Sequence, residues 1–299
     1  MKSDKLIEPF AKALEDYREG YMAARNLAPR TRVDYENDIV QFLEYLQETK
    51  IKDLKNVERR HVMGYLAELD KKKLTGLTRR RKQVVIRGFF DWLKINDEVE
   101  ANPAKHVPLP QREEKEPRFL TRQEYQRLLA AVQKPRDRAI IQMILGTGIR
   151  LSELHRLDLS DLIGLPKRIT STSTAQMIIR GKGRKTRTVY VLPKALEALK
   201  SWLAARPEVE IQAVFLSSRN LRISRRQIQY LVDKYLKLAN IKGAGVHSLR
   251  HTYATYQQVK GRPITSVQKN LEHNDIASTA VYAHILDDEE VKQMLAAEV

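Results

Sequence analysis

The 299-residue chain contains no cysteine, which excludes disulfides and thiolate chemistry and fits a reducing compartment. It has no run of about 18 apolar residues, so no transmembrane helix is expected. Its start, Met1 to Phe10, is charged and lacks the apolar core of a secretion signal. A cytoplasmic location without a membrane partner is therefore expected. The His, Asp and Glu residues show no metal-ligand spacing, and neither a metal nor another cofactor is expected.

Positive charge is in excess. Lysine and arginine number 54 against 37 acidic residues, a net charge of +17. That balance points to a polyanion, nucleic acid first. The part up to Arg112 carries +5 (23 basic, 18 acidic) and the remainder +12 (31 basic, 19 acidic), so both parts suit the same partner. An apolar fraction of 42% with 30% charged residues reads as soluble and globular. The length accommodates about two domains, each able to bury a core.

The first hundred residues carry helical periodicity and no strand-like alternation. One helix is expected from about Leu6 to Gly20. A second is expected to be capped by Thr31, with Tyr35, Ile39, Phe42, Leu43 and Leu46 on its apolar stripe. A third runs from about Val57 to Leu69, with Val62, Tyr65, Leu66 and Leu69 inward. A fourth runs from about Thr78 to Lys94, with Val85, Phe89, Trp92 and Leu93 inward. The spacing predicts a helical bundle over 1–100. Two basic clusters flank Gly76: Lys71, Lys72 and Lys73, then Arg79, Arg80, Arg81 and Lys82. One such cluster alone fits a solvated face as well as it fits a phosphate contact. Two in a basic chain point to phosphate contacts.

Residues 101–117 hold Pro103, Pro108, Pro110 and Pro117 and few apolar side chains, so they read as an extended linker. The second domain, 118–299, opens on a capping box of Thr121 and Glu124 with Leu120 and Tyr125 as staple. An apolar helix from about Arg138 to Leu145 ends at Gly146, Thr147 and Gly148, before Ile149 and Arg150. Glu153, one turn on, is placed to orient the Arg150 guanidinium. Met177 to Ile179 and Thr188 to Leu192 are β-rich and enclose the basic turn Gly181, Lys182, Gly183, Arg184, Lys185, Thr186 and Arg187. This is a hairpin, and a third strand is expected at Val214 to Leu216. Helices are expected at Lys194 to Ala205 and about Arg225 to Leu238. Arg222, Arg225 and Arg226 supply a further basic cluster for DNA, as do Arg184, Lys185 and Arg187.

From Val246 to Ile285 the chain gathers His247, Arg250, His251, His273, Tyr282 and His284, although it has only seven histidines. Arginines and histidines can hold the non-bridging oxygens of one phosphate and stabilise its pentacoordinate transition state. Nearby cations favour the phenolate of a tyrosine, which is then a nucleophile towards phosphorus. A lysine can protonate the departing sugar oxygen. Arg150, Lys182, His247, Arg250, His273 and Tyr282 thus form one catalytic set for metal-free phosphoryl transfer. Residues Asp287 to Ala297 are expected to form a short terminal helix.

These residues resemble the tyrosine recombinase (phage integrase) family. Residues Gly146 to Leu154 look like the family's first arginine box. Gly181, Lys182 and Gly183 are similar to its hairpin lysine, and His247 to Thr252 match its H-x-L-R box. His273 and Tyr282 follow Arg250 by 23 and 32 residues, as in the Xer-like branch. The resemblance covers the whole chain. It implies a mainly α fold with a small β-sheet. A helical core-binding (SAM-like) domain would precede a mixed α/β catalytic domain in a C-shaped clamp on double-stranded DNA. It implies attack by Tyr282 to give a 3′-phosphotyrosine and a free 5′-hydroxyl, without ATP. Arg150, Arg250 and His273 would hold the phosphate, His247 would assist proton transfer, and Lys182 would be the general acid. Glu153 would support the arginine. A homo-tetramer, or a hetero-tetramer with a related recombinase, would act on two DNA sites, with residues 287–299 docking on a neighbour. The role would be Xer-like chromosome dimer resolution or integration and excision of a mobile element. The apparent lack of an arm-binding domain favours a simple Xer-like or transposon enzyme. A silent DNA-binding regulator, a type IB topoisomerase and a telomere resolvase are the alternatives. Two departures stand out. Glu272 replaces the usual glycine before the second histidine and is expected to point away from the site. A longer Arg150 to Lys182 interval, holding Ser171 to Thr174, is expected to form a surface loop.

Overall fold

The computed structural model describes residues 6–110, 117–181, 186–263 and 265–266. The chain divides into two compact units, Met1–Lys115 and Glu116–Val299. Among the described residues no helix is long and apolar enough to cross a membrane.

The first unit is built from α1 (Glu8–Tyr17), α2 (Pro29–Glu48), α3 (Arg59–Lys71) and α4 (Gly76–Ile95). A short π-helical turn, Arg18–Met22, extends α1. The second helix starts two residues earlier than Thr31. Pro29 occupies its first turn, where a missing N–H costs nothing, and Ala28 is the cap. In α4 the Thr75 hydroxyl accepts from the Thr78 amide at 3.3 Å, which sets the start beside Gly76. The expected stripes are buried: Ile39, Phe42, Leu43 and Leu46 of α2, Val62, Tyr65, Leu66 and Leu69 of α3, Val85, Phe89 and Leu93 of α4. Each large apolar side chain so buried contributes roughly 1.5–3 kcal/mol. Tyr17 meets the edge of Phe89 at 5.2 Å between centroids, and Phe42 meets Tyr65 at 5.2 Å.

The proline-rich segment is partly structured. Val99, Asn102, Ala104 and Val107 are buried in this first core. Asn102 donates to the Arg87 carbonyl (2.9 Å) and to Asp91 (2.7 Å), and Gln83 donates to the Val107 carbonyl (2.8 Å). Residues 99–107 are thus laced onto α4 by side chains that replace the ladder partners proline cannot supply.

The second unit contains α5 (Arg122–Ala131), α6 (Pro135–Thr147), α7 (Leu151–Arg156), β1 (Leu162–Ile163), β2 (Ala175–Arg180), β3 (Thr186–Val191), α8 (Pro193–Ala205), α9 (Arg225–Leu238) and α10 (Val246–Val259). The box at Thr121 and Glu124 forms, with the Glu124 amide bonding the Thr121 hydroxyl at 3.2 Å. Helix α6 is apolar almost all round and packs between α8 and α10. A Cβ at Gly146 would stand 2.9 Å from the Ala195 Cβ of α8, so glycine permits that approach.

The sheet is antiparallel in the order β1-β2-β3. Met177 pairs with Leu162 on one side and Val189 on the other. The third strand is therefore Leu162–Ile163 and not Val214 to Leu216. The latter is buried but bonds to irregular neighbours: the Val214 amide to the Leu157 carbonyl (2.9 Å), the Ile223 amide to the Phe215 carbonyl (3.0 Å). Ser171, Thr172 and Thr174 are exposed, in a turn closed by the Ser173 amide on the Thr170 carbonyl (3.1 Å).

Candidate active site

Helix α6 ends because Gly148 adopts a left-handed conformation (φ +64°), a region that costs other L-residues strain. The chain then turns through Ile149 and places Arg150 at the cap of α7. Glu153 folds back over that cap. Its Oε2 accepts the Arg150 amide at 2.9 Å, and its Oε1 accepts the Arg150 guanidinium at 3.0 Å. The expected Arg150–Glu153 pairing is thus present as an ion pair with a nearly inaccessible carboxylate (2% exposed) and a partly open arginine (36%).

Arg250 arrives from α10. It is buried, and its guanidinium donates to the carbonyl oxygen of Gly148, two residues before Arg150. His247 lies one turn earlier on the same face of α10 and is exposed. The helix is pinned where it passes the start of the unit. The Thr252 hydroxyl donates to the Ser248 carbonyl and accepts the Leu120 amide, each at 2.8 Å. His251 is kept neutral down to about pH 4. Burial is the main cause, and the His247 and Arg250 charges add to it.

Arg187 of β3 completes the cluster. Its two terminal nitrogens meet Glu153 Oε1 at 3.1 Å and Oε2 at 2.8 Å. Burial alone would raise the Glu153 carboxyl. Hydrogen bonds from Arg187 and from the Arg150 amide, with the Arg187 charge, outweigh it and hold the group at about 2. Among the described residues, three guanidinium groups (Arg150, Arg187, Arg250) gather around the Glu153 carboxylate and the Gly148 bend. Guanidinium groups are the donors that bind a phosphate-type anion best.

The structure brings Arg150, Glu153, His247 and Arg250 into one region. Lys182, Arg184, Lys185, Glu272, His273, Tyr282 and the helix expected over 287–297 lie outside the described residues. The DNA-contact expectations need two corrections. Lys82 is buried and paired with Asp38 at 2.8 Å, with Gln41 as a second acceptor at 2.7 Å, so its charge serves the first core. Arg187 is turned onto Glu153 rather than outward. Arg222 is partly exposed and is held by the His155 carbonyl (3.0 Å) and Asp158 (2.5 Å). Arg79 pairs with Asp70 at 2.9 Å, Arg81 bonds Asp38 at 3.0 Å, and Arg80 reaches the Pro110 carbonyl at 3.4 Å. Lys71, Lys72, Lys73, Arg225 and Arg226 are exposed, with Lys72 paired to Glu68.

The role of Arg187 is the one the basic turn concealed. Its signal was alternation, because Arg187, Val189 and Val191 share the inward face of β3.

Residues 118–289 match the phage integrase family, and residues 14–96 match the phage integrase N-terminal SAM-like domain. The chain belongs to the phage integrase family of tyrosine recombinases. A tyrosine recombinase of Pseudothermotoga lettingae is 32% identical over 280 residues, covering 92% of this chain and 94% of the relative. The tyrosine recombinase XerC of Thermodesulfovibrio yellowstonii is 32% identical over 265 residues, covering 84% of each. Among solved structures, a XerH site-specific recombinase bound to a palindromic difH substrate superposes with a TM-score of 0.74. It is 21% identical and the match covers 95% of this chain and 83% of that one, which shows the shared fold. A phage integrase family member with this fold explains why Arg150 and Arg250 converge from segments a hundred residues apart.

Proposed function

We propose that this chain cuts and rejoins double-stranded DNA at specific sites, with Tyr282 as nucleophile and the Arg150–Arg250 cluster as the seat of the scissile phosphate. The observation that carries the reading is the bond from Arg250 to the Gly148 carbonyl, which brings the two arginine boxes of a phage integrase family member together. The Tyr282 phenolate attacks phosphorus. The bond to the 5′ sugar oxygen breaks, and that oxygen takes a proton from Lys182. A 3′-phosphotyrosine and a 5′-hydroxyl result. A 5′-hydroxyl from a partner duplex reverses the step, with His247 assisting proton transfer and His273 sharing the phosphate oxygens. The phosphodiester energy is conserved in the covalent bond, so the exchange is ATP-independent. Four chains on two DNA sites supply the two duplexes, either identical chains or a mixture with a related recombinase, in the cytoplasm. Lys71, Lys73, Arg225 and Arg226 are phosphate-contact candidates whose side chains are exposed.

A nicked suicide duplex tests this reading. The wild-type chain traps a covalent adduct, whereas Tyr282→Phe binds the duplex and traps none. An intact chain that binds its site yet never forms the adduct is a silent regulator, and the proposal fails. Supercoiled plasmids with one and two sites separate recombination from relaxation by a topoisomerase or hairpin closure by a telomere resolvase.

A further inference from the structure

Near its start, helix α4 reverses the usual order of polar outside and apolar inside. Lys82 and Gln83 are buried, whereas Leu77 and Val84 stand 61% and 49% exposed. The inward pair is satisfied: Lys82 donates to Asp38 and Gln41, and Gln83 to the Val107 carbonyl. The outward pair takes no part in the first core. An aliphatic side chain left in water gains nothing from burial, and a lysine or glutamate there would serve the helix as well.

Leu77, Arg80, Arg81 and Val84 follow at the spacing of one helical face. With Thr78 and with Tyr35 of α2 they line a groove of about 500 Å³. Its surroundings are basic. Seven of the twelve residues from Lys71 to Lys82 are Lys or Arg and none is acidic. Glu68, Asp70 and Asp38 pair with four of them, Lys72, Arg79, Arg81 and Lys82. The Asp38 bond also fixes Arg81 beside the groove, and the Pro110 carbonyl holds Arg80 at 3.4 Å. A partner that covers Leu77 and Val84 is therefore anionic at its rim and apolar at the contact. The major groove of DNA has that character. Phosphates line its edges, and its apolar group is the thymine 5-methyl. Leu77 and Val84 are two turns apart, about 10.5 Å along the helix axis. That is about three base steps of about 3.4 Å each.

We propose that Leu77 and Val84 are specificity-determining residues that read thymine methyl groups in the major groove of the DNA site. The choice of DNA among polyanions rests on the recombinase reading above.

The test starts from a pool of short random-sequence duplexes, from which the wild-type chain selects a preferred site. Each thymine of the selected duplex is then replaced singly by deoxyuridine, which removes the methyl and keeps the base pair. Wild-type affinity is expected to fall about 4-fold at one or more thymines, the scale of one buried methyl group. Leu77→Ala and Val84→Ala are expected to bind the thymine duplex more weakly and to lose the thymine-to-uracil ratio at those positions. Both positions are exposed and alanine favours helix, so thermal midpoints are expected to stay near wild type. Leu77→Met keeps an apolar tip and is expected to keep the ratio. Wild-type binding indifferent to every replacement overturns the proposal. So does an unchanged ratio in both alanine variants, whether affinity falls evenly, binding to phosphatidylglycerol vesicles is lost, or self-association in sedimentation is lost. Nicking the selected duplex separates the two readings. A wild-type chain that discriminates thymine yet traps no covalent adduct refutes the recombinase reading and leaves thymine recognition standing. A pool from which no sequence is enriched overturns both.

Discussion

The guanidinium of Arg250 donates to the main-chain carbonyl of Gly148 across 102 residues of sequence. A side chain of the last described helix is thereby registered against the backbone bend that presents Arg150. The two arginines are located by one piece of main chain, so the bend is part of the site.

That bend is testable at Gly148. Its φ of +64° lies in the left-handed region, where a side chain costs roughly 1–2 kcal/mol. Gly148→Ala is expected to lower stability by that amount in urea denaturation. It is expected to lower covalent-adduct formation by more than the stability loss explains, because the carbonyl that receives Arg250 moves. Equal losses in both measurements would show that the bend only supports the fold.

Glu153 sets an acid limit. Its folded carboxyl lies at about 2 against an ordinary 4.5, so its contribution is present above 4.5 and lost as pH falls towards 2. The shift corresponds to roughly 3 kcal/mol. Urea midpoints of the wild type and Glu153→Gln, measured downward from neutral pH, are expected to converge in that window. A gap that stays constant with pH would remove Glu153 as the source.

His251 acts at milder pH. It is neutral in the fold down to about 4 and titrates near 6.5 when unfolded, because it is half-buried beside His247 and Arg250. The unfolded chain therefore binds the extra proton. Stability is full above 6.5 and declines as pH falls towards 4, by roughly 2 kcal/mol after allowance for partial exposure. His251→Gln should show a shallower decline between those values in thermal melts. Parallel curves would contradict the assignment.

Lys82 and Arg226 should separate core charge from surface charge. Lys82→Gln leaves Asp38 without its buried partner and is expected to cost about 3–5 kcal/mol of stability. The salt dependence of DNA binding by the folded protein should not change. Arg226→Gln is expected to leave stability intact and reduce the slope of log K against log salt by about 1, if its exposed side chain meets a phosphate. A changed slope for Lys82→Gln would reverse the correction made to that residue.

The helices were legible because their stripes are long and regular: Ile39, Phe42, Leu43 and Leu46 could bury together only on a helix. The arginine and histidine boxes were legible as spacing, but their meeting at Gly148 was not, since no local signal encodes a contact across a hundred residues. Charge misled where period was the better guide. Lys82 lies on the same helical face as Ile86, Phe89 and Leu93, and Arg187 on the same strand face as Val189 and Val191. In both, the inward direction was written in the neighbours, and the buried acids Asp38 and Glu153 were waiting far away in sequence. The third strand was missed because Leu162–Ile163 is two residues long, too short to alternate.

The Thr252 hydroxyl binds the Leu120 amide across 132 residues, and Arg250 reaches Gly148 across 102. A closure over that many residues costs more chain entropy than the local hairpin and helices between its ends. A ribosome making this chain releases α6 and the Arg150 bend long before α10 exists. The emerging polypeptide can therefore offer DNA basic surface before it can offer the two arginines together, and the proposed nucleophile, Tyr282, leaves the ribosome later still.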